Sequence, residues 1–557
     1  MQIVIPMSGF GERFRRAGYS VPKPLIEVEG KPIIAHVLSM FPNETDVFFI
    51  CNQEHLDNPN YRMIEIIQQY CPTGKIVGIS PHKLGPVNAV MQIIHLLDMQ
   101  RPVVVNYCDF TCYWDWHHFK KFVQTTKCAG SIPAYKGFHP HSLGTTNYAY
   151  MRESNGWLHD IQEKQPYTDN RMQEYASSGT YYFATAQLMT DAFRYAMTNN
   201  LSIGGEYYVS LTYKPILAQG LPVTVYDLQH FMQWGTPEDL AEYNYWSNTF
   251  RCLNHGYTPH MPPNGSLIIP MAGLGQRFVN EGYTQTKPLI PVSGKAMVTQ
   301  AVTDLPCAQH HSFVIRTTMA GHDHISTELT QQFPNVIITN VDYVTEGQAI
   351  TAEIGLHSLL KHTDSPGVLT FAACDNGVLY DEATFTQLIA DETVDIIVWA
   401  VRGYPNAARN PHMFGWIDVD NEGRIHAISV KQPLANPTYD PIVLGTFTFR
   451  NATLFQVAID RMRQRDGRVN GEYYIDSCIN DALELGMNCR LFEIDSYLCW
   501  GTPDDLQTFE YWQSCFHKWD NHPYRLQHDA RVAPSAIAEL ERRYAKTVPD
   551  MPVGDHV

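Results

Sequence analysis

One segment of this chain is written twice, and the repeat limits the fold more than any other feature. Ile5-Pro-Met-Ser-Gly-Phe-Gly-Glu-Arg-Phe14 returns as Ile269-Pro-Met-Ala-Gly-Leu-Gly-Gln-Arg-Phe278. Each copy follows an apolar run and is followed by Gly-Tyr and then Lys-Pro-Leu-Ile. The correspondence continues: Gly11 matches Gly275, Lys23 matches Lys287, Asp109 matches Asp375, Lys164 matches Lys431, and Gly205-Glu-Tyr-Tyr matches Gly471-Glu-Tyr-Tyr. Trp234-Gly-Thr-Pro-Glu-Asp-Leu240 returns as Trp500-Gly-Thr-Pro-Asp-Asp-Leu506, 266 positions on. Solenoid repeats run to roughly 20 to 50 residues, so a period this long is a duplicated domain.

A chain of 557 residues exceeds what one core usually serves. The repeat sets copy one at 1–252 and copy two at 266–517. Residues 253–265, rich in proline and glycine, read as a linker, and residues 518–557 read as a C-terminal tail in which 533–544 can form a short helix.

With 40 basic against 57 acidic side chains the formal charge is −17, which excludes a general binder of nucleic-acid backbones. The 12 cysteines form no C-x-x-C pair and no zinc-spaced cluster, and several lie in apolar runs (Cys51, Cys108, Cys374), as buried thiols do. No apolar stretch reaches the roughly 18 residues of a membrane span. No basic region precedes an apolar segment at the start, so a cytoplasmic protein without a membrane partner is expected.

Pro32 to Phe41 places Ile33, Ile34, Val37, Leu38 and Phe41 on one helical face. Val47–Ile50 and Val103–Val105 are continuous apolar runs, as strands covered on both faces tend to be. Strands alternating with helices imply an α/β fold: a mostly parallel, mixed sheet flanked by helices, with ligands beyond the strands' carboxyl ends. The second half of each copy is richer in strands.

Gly9 and Gly11, like Gly273 and Gly275, let backbone amides approach a polyphosphate closely. Arg13 and Arg277 can grip phosphate oxygens through paired N–H groups. Lys23 and Lys287 add a charge for the attacked phosphorus. Asp109 and Asp375, each ending an apolar strand, are placed to hold Mg²⁺, which keeps most of its waters and takes one or two carboxylates. Taken singly, a glycine pair is a turn, a Lys-Pro-Leu a loop entry, a strand-end aspartate a helix cap, and Gly-Glu-Tyr-Tyr a helix start with core aromatics. Recurrence in order and spacing turns the set towards phosphoryl or nucleotidyl transfer. The dinucleotide fingerprint is excluded because Phe14 and Phe278 stand where its third glycine belongs, and the Walker loop because neither copy has Gly-Lys-Ser/Thr.

Pro-Met-x-Gly-x-Gly-x-Arg-Phe followed by Lys-Pro-Leu-Ile-x-Val-x-Gly-Lys resembles the sugar-phosphate nucleotidyltransferase family, which includes glucose-1-phosphate thymidylyltransferases and cytidylyltransferases. The resemblance runs through both copies and implies two tandem glycosyltransferase-A-like domains. It also implies that a sugar 1-phosphate, or a similar phosphorylated metabolite, attacks the α-phosphate of a nucleoside triphosphate with Mg²⁺ and expels pyrophosphate, for capsule or lipopolysaccharide precursors. By the same resemblance Arg13, Lys23, Arg277 and Lys287 are catalytic. Gly9, Gly11, Gly85, Gly273, Gly275 and Gly347 bind the nucleotide, while Glu163, Lys164, Gly179, Lys431 and Gly445 meet the acceptor. Asp109 and Asp375 hold the metal.

Copy two has Val430 where copy one has Glu163, and its Gln-Ala-Ile-Thr-Ala after Gly347 departs from the nucleobase pattern. Gln233 and Cys499 replace a second metal aspartate, leaving Glu206 and Glu472 as stand-ins. Two readings of copy two stay open, a second catalytic site or a nucleotide-sensing module. Homo-oligomerisation also stays open. A glycosyltransferase is disfavoured because Asp109-Phe-Thr supplies no Asp-x-Asp motif.

Overall fold

The computed structural model describes residues 1–256 and 265–554. The chain divides into two compact units, Met1–Tyr243 with Ala545–Val557, and Asn244–Tyr544. The division falls after Tyr243, within the helix Pro237–Asn254. The expected linker, residues 253–265, begins in the last turn of that helix, and its residues 257–264 lie outside the described residues.

In unit 1 the strands Val103–Asn106, Gln2–Met7, Val47–Asn52 and Lys75–Ile79 lie side by side and parallel. All six residues of Val47–Asn52 are buried, because helices cover this part of the sheet on both faces. Thr180–Phe183 then pairs antiparallel with Val103–Asn106 and with Gly130–Tyr135. Beyond it the sheet becomes largely antiparallel through Val223–Asp227, Trp157–Glu163, Ala149–Ser154 and Tyr175–Ser177, the strand-rich second half. The helices Gly85–Met91 and Ala186–Thr198 press Val87, Val90, Met189 and Phe193 onto Val4, Phe48, Ile50 and Phe183. Each such fully buried side chain stabilises the unit by about 1.5–3 kcal/mol. The helix expected from Pro32 runs Ile33–Ser39 and buries Ile33, Ile34 and Val37.

Unit 2 repeats this order: Val336–Val341, His310–Arg316, Ser266–Pro270 and Leu369–Phe371 are parallel, and Ile442–Phe449 turns the sheet to Ile396–Val401 and Cys489–Glu493. The hairpin Gly415–Val419 with Ile425–Val430 extends the antiparallel part.

The tail divides. Residues 518–544 belong to unit 2, where Ala533 N donates to Ser293 O (2.9 Å), Tyr544 OH donates to Gln513 Oε1 (2.9 Å), and buried Arg531 pairs with buried Asp304. The helix expected in 533–544 runs Ile537–Arg543. Residues from Ala545 onward group with unit 1, where Val553 N donates to Asn155 O (3.1 Å) and Trp157 Nε1 to Gly554 O (3.2 Å). All 12 cysteines are free thiols.

Candidate active site

The strand Gln2–Met7 is apolar because it runs through the middle of a covered sheet, and its carboxyl end delivers the glycine loop to the surface. Gly11 takes φ +62°, a left-handed turn open to glycine at little cost, and starts the short helix Glu12–Arg16. Phe14 is buried and meets Tyr19 edge to face (5.1 Å), which anchors the loop from beneath. No atom lies within 4 Å of where a Cβ on Gly9 or Gly11 would stand, so the loop presents bare backbone to open space. Unit 2 builds the same turn, with Gly275 at φ +63° and Phe278 against Tyr283 (5.0 Å).

Lys23 opens a tight turn, Lys23–Leu25, held by buried Pro24 and Leu25. Its Nζ donates to Asp109 Oδ2 at 2.8 Å. Asp109 stands where the chain passes from Val103–Asn106 into a two-stranded ribbon of Phe110–Tyr113 and His230–Gln233, and its backbone oxygen accepts from Trp234 N (2.9 Å). This explains why the Trp-Gly-Thr-Pro segment recurs with the aspartate: the two hold each other. Burial works against the Lys23 charge, but the facing Asp109 carboxylate outweighs it and holds the lysine above its usual pKa. In unit 2 Lys287 Nζ meets Asp375 Oδ2 (2.5 Å) and Gly501 O (3.0 Å), Asp375 O accepts from Trp500 N (2.9 Å), and the lysine is raised for the same reasons.

Gly85 has φ +83°, and a Cβ there would lie 2.8 Å from both N and O of Tyr207. The close approach is a backbone bridge, with Tyr207 N donating to Leu84 O (2.9 Å) and Val87 N to Tyr207 O (3.2 Å). Gly-Glu-Tyr-Tyr is thus a loop docked on the Gly85 turn. Gly347, despite its altered neighbours, makes the same bridge at φ +125°: Tyr473 N donates to Glu346 O (2.9 Å) and Ala349 N to Tyr473 O (3.0 Å).

Gly9, Gly11, Arg13, Lys23, Gly85 and Asp109 all line one cavity of about 540 Å³, together with Tyr107, Glu206 and Tyr208. Of the acceptor residues expected in unit 1, Lys164 reaches this cavity through a relay: its Nζ hydrogen-bonds Tyr208 OH (2.6 Å), which donates to Glu206 Oε2. Lys164 sits in the left-handed region (φ +58°), as does Lys431 (φ +60°). Glu163 lies deeper, its Oε2 accepting from Ser210 Oγ at 2.5 Å, and burial lifts its pKa above the usual carboxylate value. Gly179 (φ +98°) packs behind the cavity wall, where a Cβ would stand 3.0 Å from Tyr107 Cδ2. In unit 2 a Cβ on Gly445 (φ +74°) would stand 3.8 Å from Ala373 Cβ. Lys431 Nζ donates to Met413 O and lies 5.9 Å from the Tyr474 ring centre. Burial pushes the Lys431 pKa down, Arg277 adds to that, and Asp476 opposes it.

Tyr208 and Tyr107 carry no site signal of their own in the sequence. The recurrence of Gly-Glu-Tyr-Tyr marks the segment, but which aromatic turns inward depends on the bridge to Gly85.

The donor set around Asp109 fits a hydrated cation. Asp109 Oδ2 and Gln233 Nε2 both border Gly235, and among the described residues no group of three or more His, Cys, Asp or Glu side chains could hold a metal. One carboxylate suits Mg²⁺, which takes its remaining ligands from water and phosphate, and does not suit a metal caged by protein. In unit 2 Asp375 has Cys499 across Gly501, a thiol whose pKa burial pushes far up, so the carboxylate alone would serve there.

Residues 3–206 match the family model described as Nucleotidyl transferase. The chain is 26% identical over 247 residues to the mannose-1-phosphate guanylyltransferase catalytic subunit beta of Danio rerio, covering 43% of this chain and 62% of that protein. It is 25% identical over 292 residues to mannose-1-phosphate guanyltransferase beta-B of Xenopus laevis, covering 50% and 73%. The chain therefore spans less than two thirds of the length of the Danio rerio relative. Similar solved structures include a nucleoside-diphosphate-sugar pyrophosphorylase from Vibrio cholerae (21% identity, TM-score 0.36, 44% of this chain and 98% of that one). Another is the inositol-1-phosphate CTP transferase of T. maritima (13%, TM-score 0.35, 46% and 96%). The match to the nucleotidyl transferase model covers the stretch that carries the glycine loop, Lys23, Asp109 and Lys164.

Proposed function

We propose that unit 1 joins a nucleoside monophosphate to a sugar 1-phosphate or similar phosphorylated metabolite. A phosphate oxygen of the acceptor attacks the α-phosphorus of a nucleoside triphosphate. The bond from that phosphorus to the bridging oxygen breaks, and pyrophosphate leaves with the electron pair. The observation that carries this reading is the convergence of the Gly9–Gly11 loop, Arg13, Lys23 and Asp109 on one cavity of about 540 Å³.

Each group has a task there. The loop amides and Arg13 orient the triphosphate, and Lys23 neutralises charge on the attacked phosphorus. The Lys164–Tyr208–Glu206 relay holds the acceptor phosphate beside it. Asp109 would hold Mg²⁺, which when bound neutralises phosphate charge. The names of the guanylyltransferase relatives support a sugar 1-phosphate as acceptor, and a cytoplasmic enzyme of polysaccharide-precursor synthesis is the setting we infer. No helix among the described residues is long and apolar enough to cross a membrane.

For unit 2 we propose a second catalytic site, on the strength of the repeated Lys287–Asp375 pair. Val430 in place of Glu163 favours the alternative, a nucleotide-sensing module. Pyrophosphate release from full-length Lys23→Ala and Lys287→Ala chains separates the two. Two partial losses, each for a different acceptor, fit two sites; a silent Lys287→Ala chain fits the sensor. Full activity in both variants overturns the enzyme reading.

A further inference from the structure

Copy two lost the acceptor carboxylate at Val430, but the structure shows three positions changed together. In unit 1 Glu163 lies opposite Ala149 in the strand register and touches Ser210 through its Oε2 (2.5 Å). The positions in unit 2 that repeat Ala149, Glu163 and Ser210 are Gly415, Val430 and Asp476. Gly415 lies opposite Val430 in the same register. Asp476 stands in the first turn of the helix Ile475–Glu484 and turns its carboxylate onto that pair: a Cβ on Gly415 would lie 2.4 Å from Asp476 Oδ2. An alanine, as at Ala149, has no room there. The exchange therefore removes a carboxylate from the strand, supplies one from the helix, and clears the methyl group that would have blocked it.

A first-turn aspartate is favourable at any helix start through the helix dipole, but that role requires no glycine on the facing strand. Nor does the carboxylate serve the packing, since among the described residues no other residue donates a hydrogen bond to it. What faces it is Lys431, whose charge favours the ionised carboxyl while burial lifts its pKa to about 6. A half-buried carboxylate whose one protein donor is its own backbone N–H, beside the lysine that repeats Lys164, has unused accepting capacity.

We propose that Asp476 is the acceptor-binding carboxylate of a second site in unit 2, accepting hydrogen bonds from the hydroxyls of a phosphorylated sugar or polyol whose phosphate meets Lys431. This rests on the reading of unit 2 as catalytic. Because the carboxylate comes from the helix on a shorter side chain, the acceptor differs from that of unit 1.

The test uses the full-length Lys23→Ala chain, so that pyrophosphate release reports unit 2, with glucose 1-phosphate, mannose 1-phosphate and inositol 1-phosphate as acceptors. Asp476→Asn should raise the acceptor KM about tenfold or more while the nucleotide KM stays within about twofold. The joint replacement Gly415→Ala, Val430→Glu and Asp476→Ser, which restores the set found in unit 1, should shift acceptor preference towards that of the Lys287→Ala chain. Turnover with an unchanged acceptor KM in Asp476→Asn and an unchanged preference in the triple variant overturns the role of Asp476 and leaves two-site catalysis standing. If the Lys23→Ala chain gives no turnover, two-site catalysis fails, and calorimetric titration with the same three phosphates decides. Binding that Asp476→Asn weakens about tenfold sustains the site as a binding site; equal binding overturns it.

Discussion

Lys23 and Asp109 meet at 2.8 Å across 86 positions of sequence, and Lys287 and Asp375 repeat the pair across 88. In both units a strand-end carboxylate and a loop lysine are held at the mouth of the glycine turn, each about a quarter exposed. Exposure keeps the pair's contribution to stability small, so its retention in both copies is better explained by chemistry.

Asp109→Asn should therefore fold normally and lose its Mg²⁺-dependent turnover. The expected fall in kcat is about 10²–10³-fold, with the thermal midpoint within a few degrees of the parent. Pyrophosphate release against Mg²⁺ concentration, with thermal melts alongside, measures both; full turnover removes Asp109 from the mechanism.

Gly85→Ala strains a residue at φ +83° and drives a methyl group to 2.8 Å from the Tyr207 backbone. The bridge that seats Gly-Glu-Tyr-Tyr must shift, at a cost of about 1–3 kcal/mol. A lowered melting transition and a raised nucleotide KM are the expected readouts. An unchanged melt would show that the bridge is slack.

Tyr208→Phe deletes the hydroxyl that joins Lys164 to Glu206 and leaves the ring in place. The acceptor KM should rise about tenfold while the nucleotide KM changes little. Equal changes in both constants would place Tyr208 outside the acceptor side.

Burial raises the Glu163 carboxyl above its ordinary 4.5, against the pull of the Ser210 hydrogen bond and of Lys164. The folded chain then keeps this proton at pH values where the unfolded chain has released it, so the group favours the fold most at low pH and less as pH rises through the raised value. Glu163→Gln, neutral throughout, removes that decline. Its melting temperature relative to the parent should climb as pH rises above 4.5. A difference that is flat or falling across this range contradicts the assignment.

Much of the cavity around the glycine loop was legible in the chain. A loop that must present bare amides needs glycine whatever surrounds it, and a strand covered on both faces must be apolar, so Gly9, Gly11, Gly273, Gly275 and the Val103–Asn106 strand announce themselves locally. The acceptor side was less legible. Glu163 and Lys164 were marked by resemblance, but Tyr208 looked like a core aromatic, and Asp476 had no motif to mark it.

By itself the sequence determined that a long segment is repeated, where the glycine-rich backbone turns lie, and which lysine and aspartate recur with them, because these demands act on single residues and their immediate neighbours. Only the tertiary structure decided that Gly-Glu-Tyr-Tyr closes over Gly85 and Gly347, and that a helix returns to unit 2 the carboxylate its strand had lost. Those outcomes depend on which distant segments pack within a few ångströms of each other, a relation that spacing along the chain does not encode.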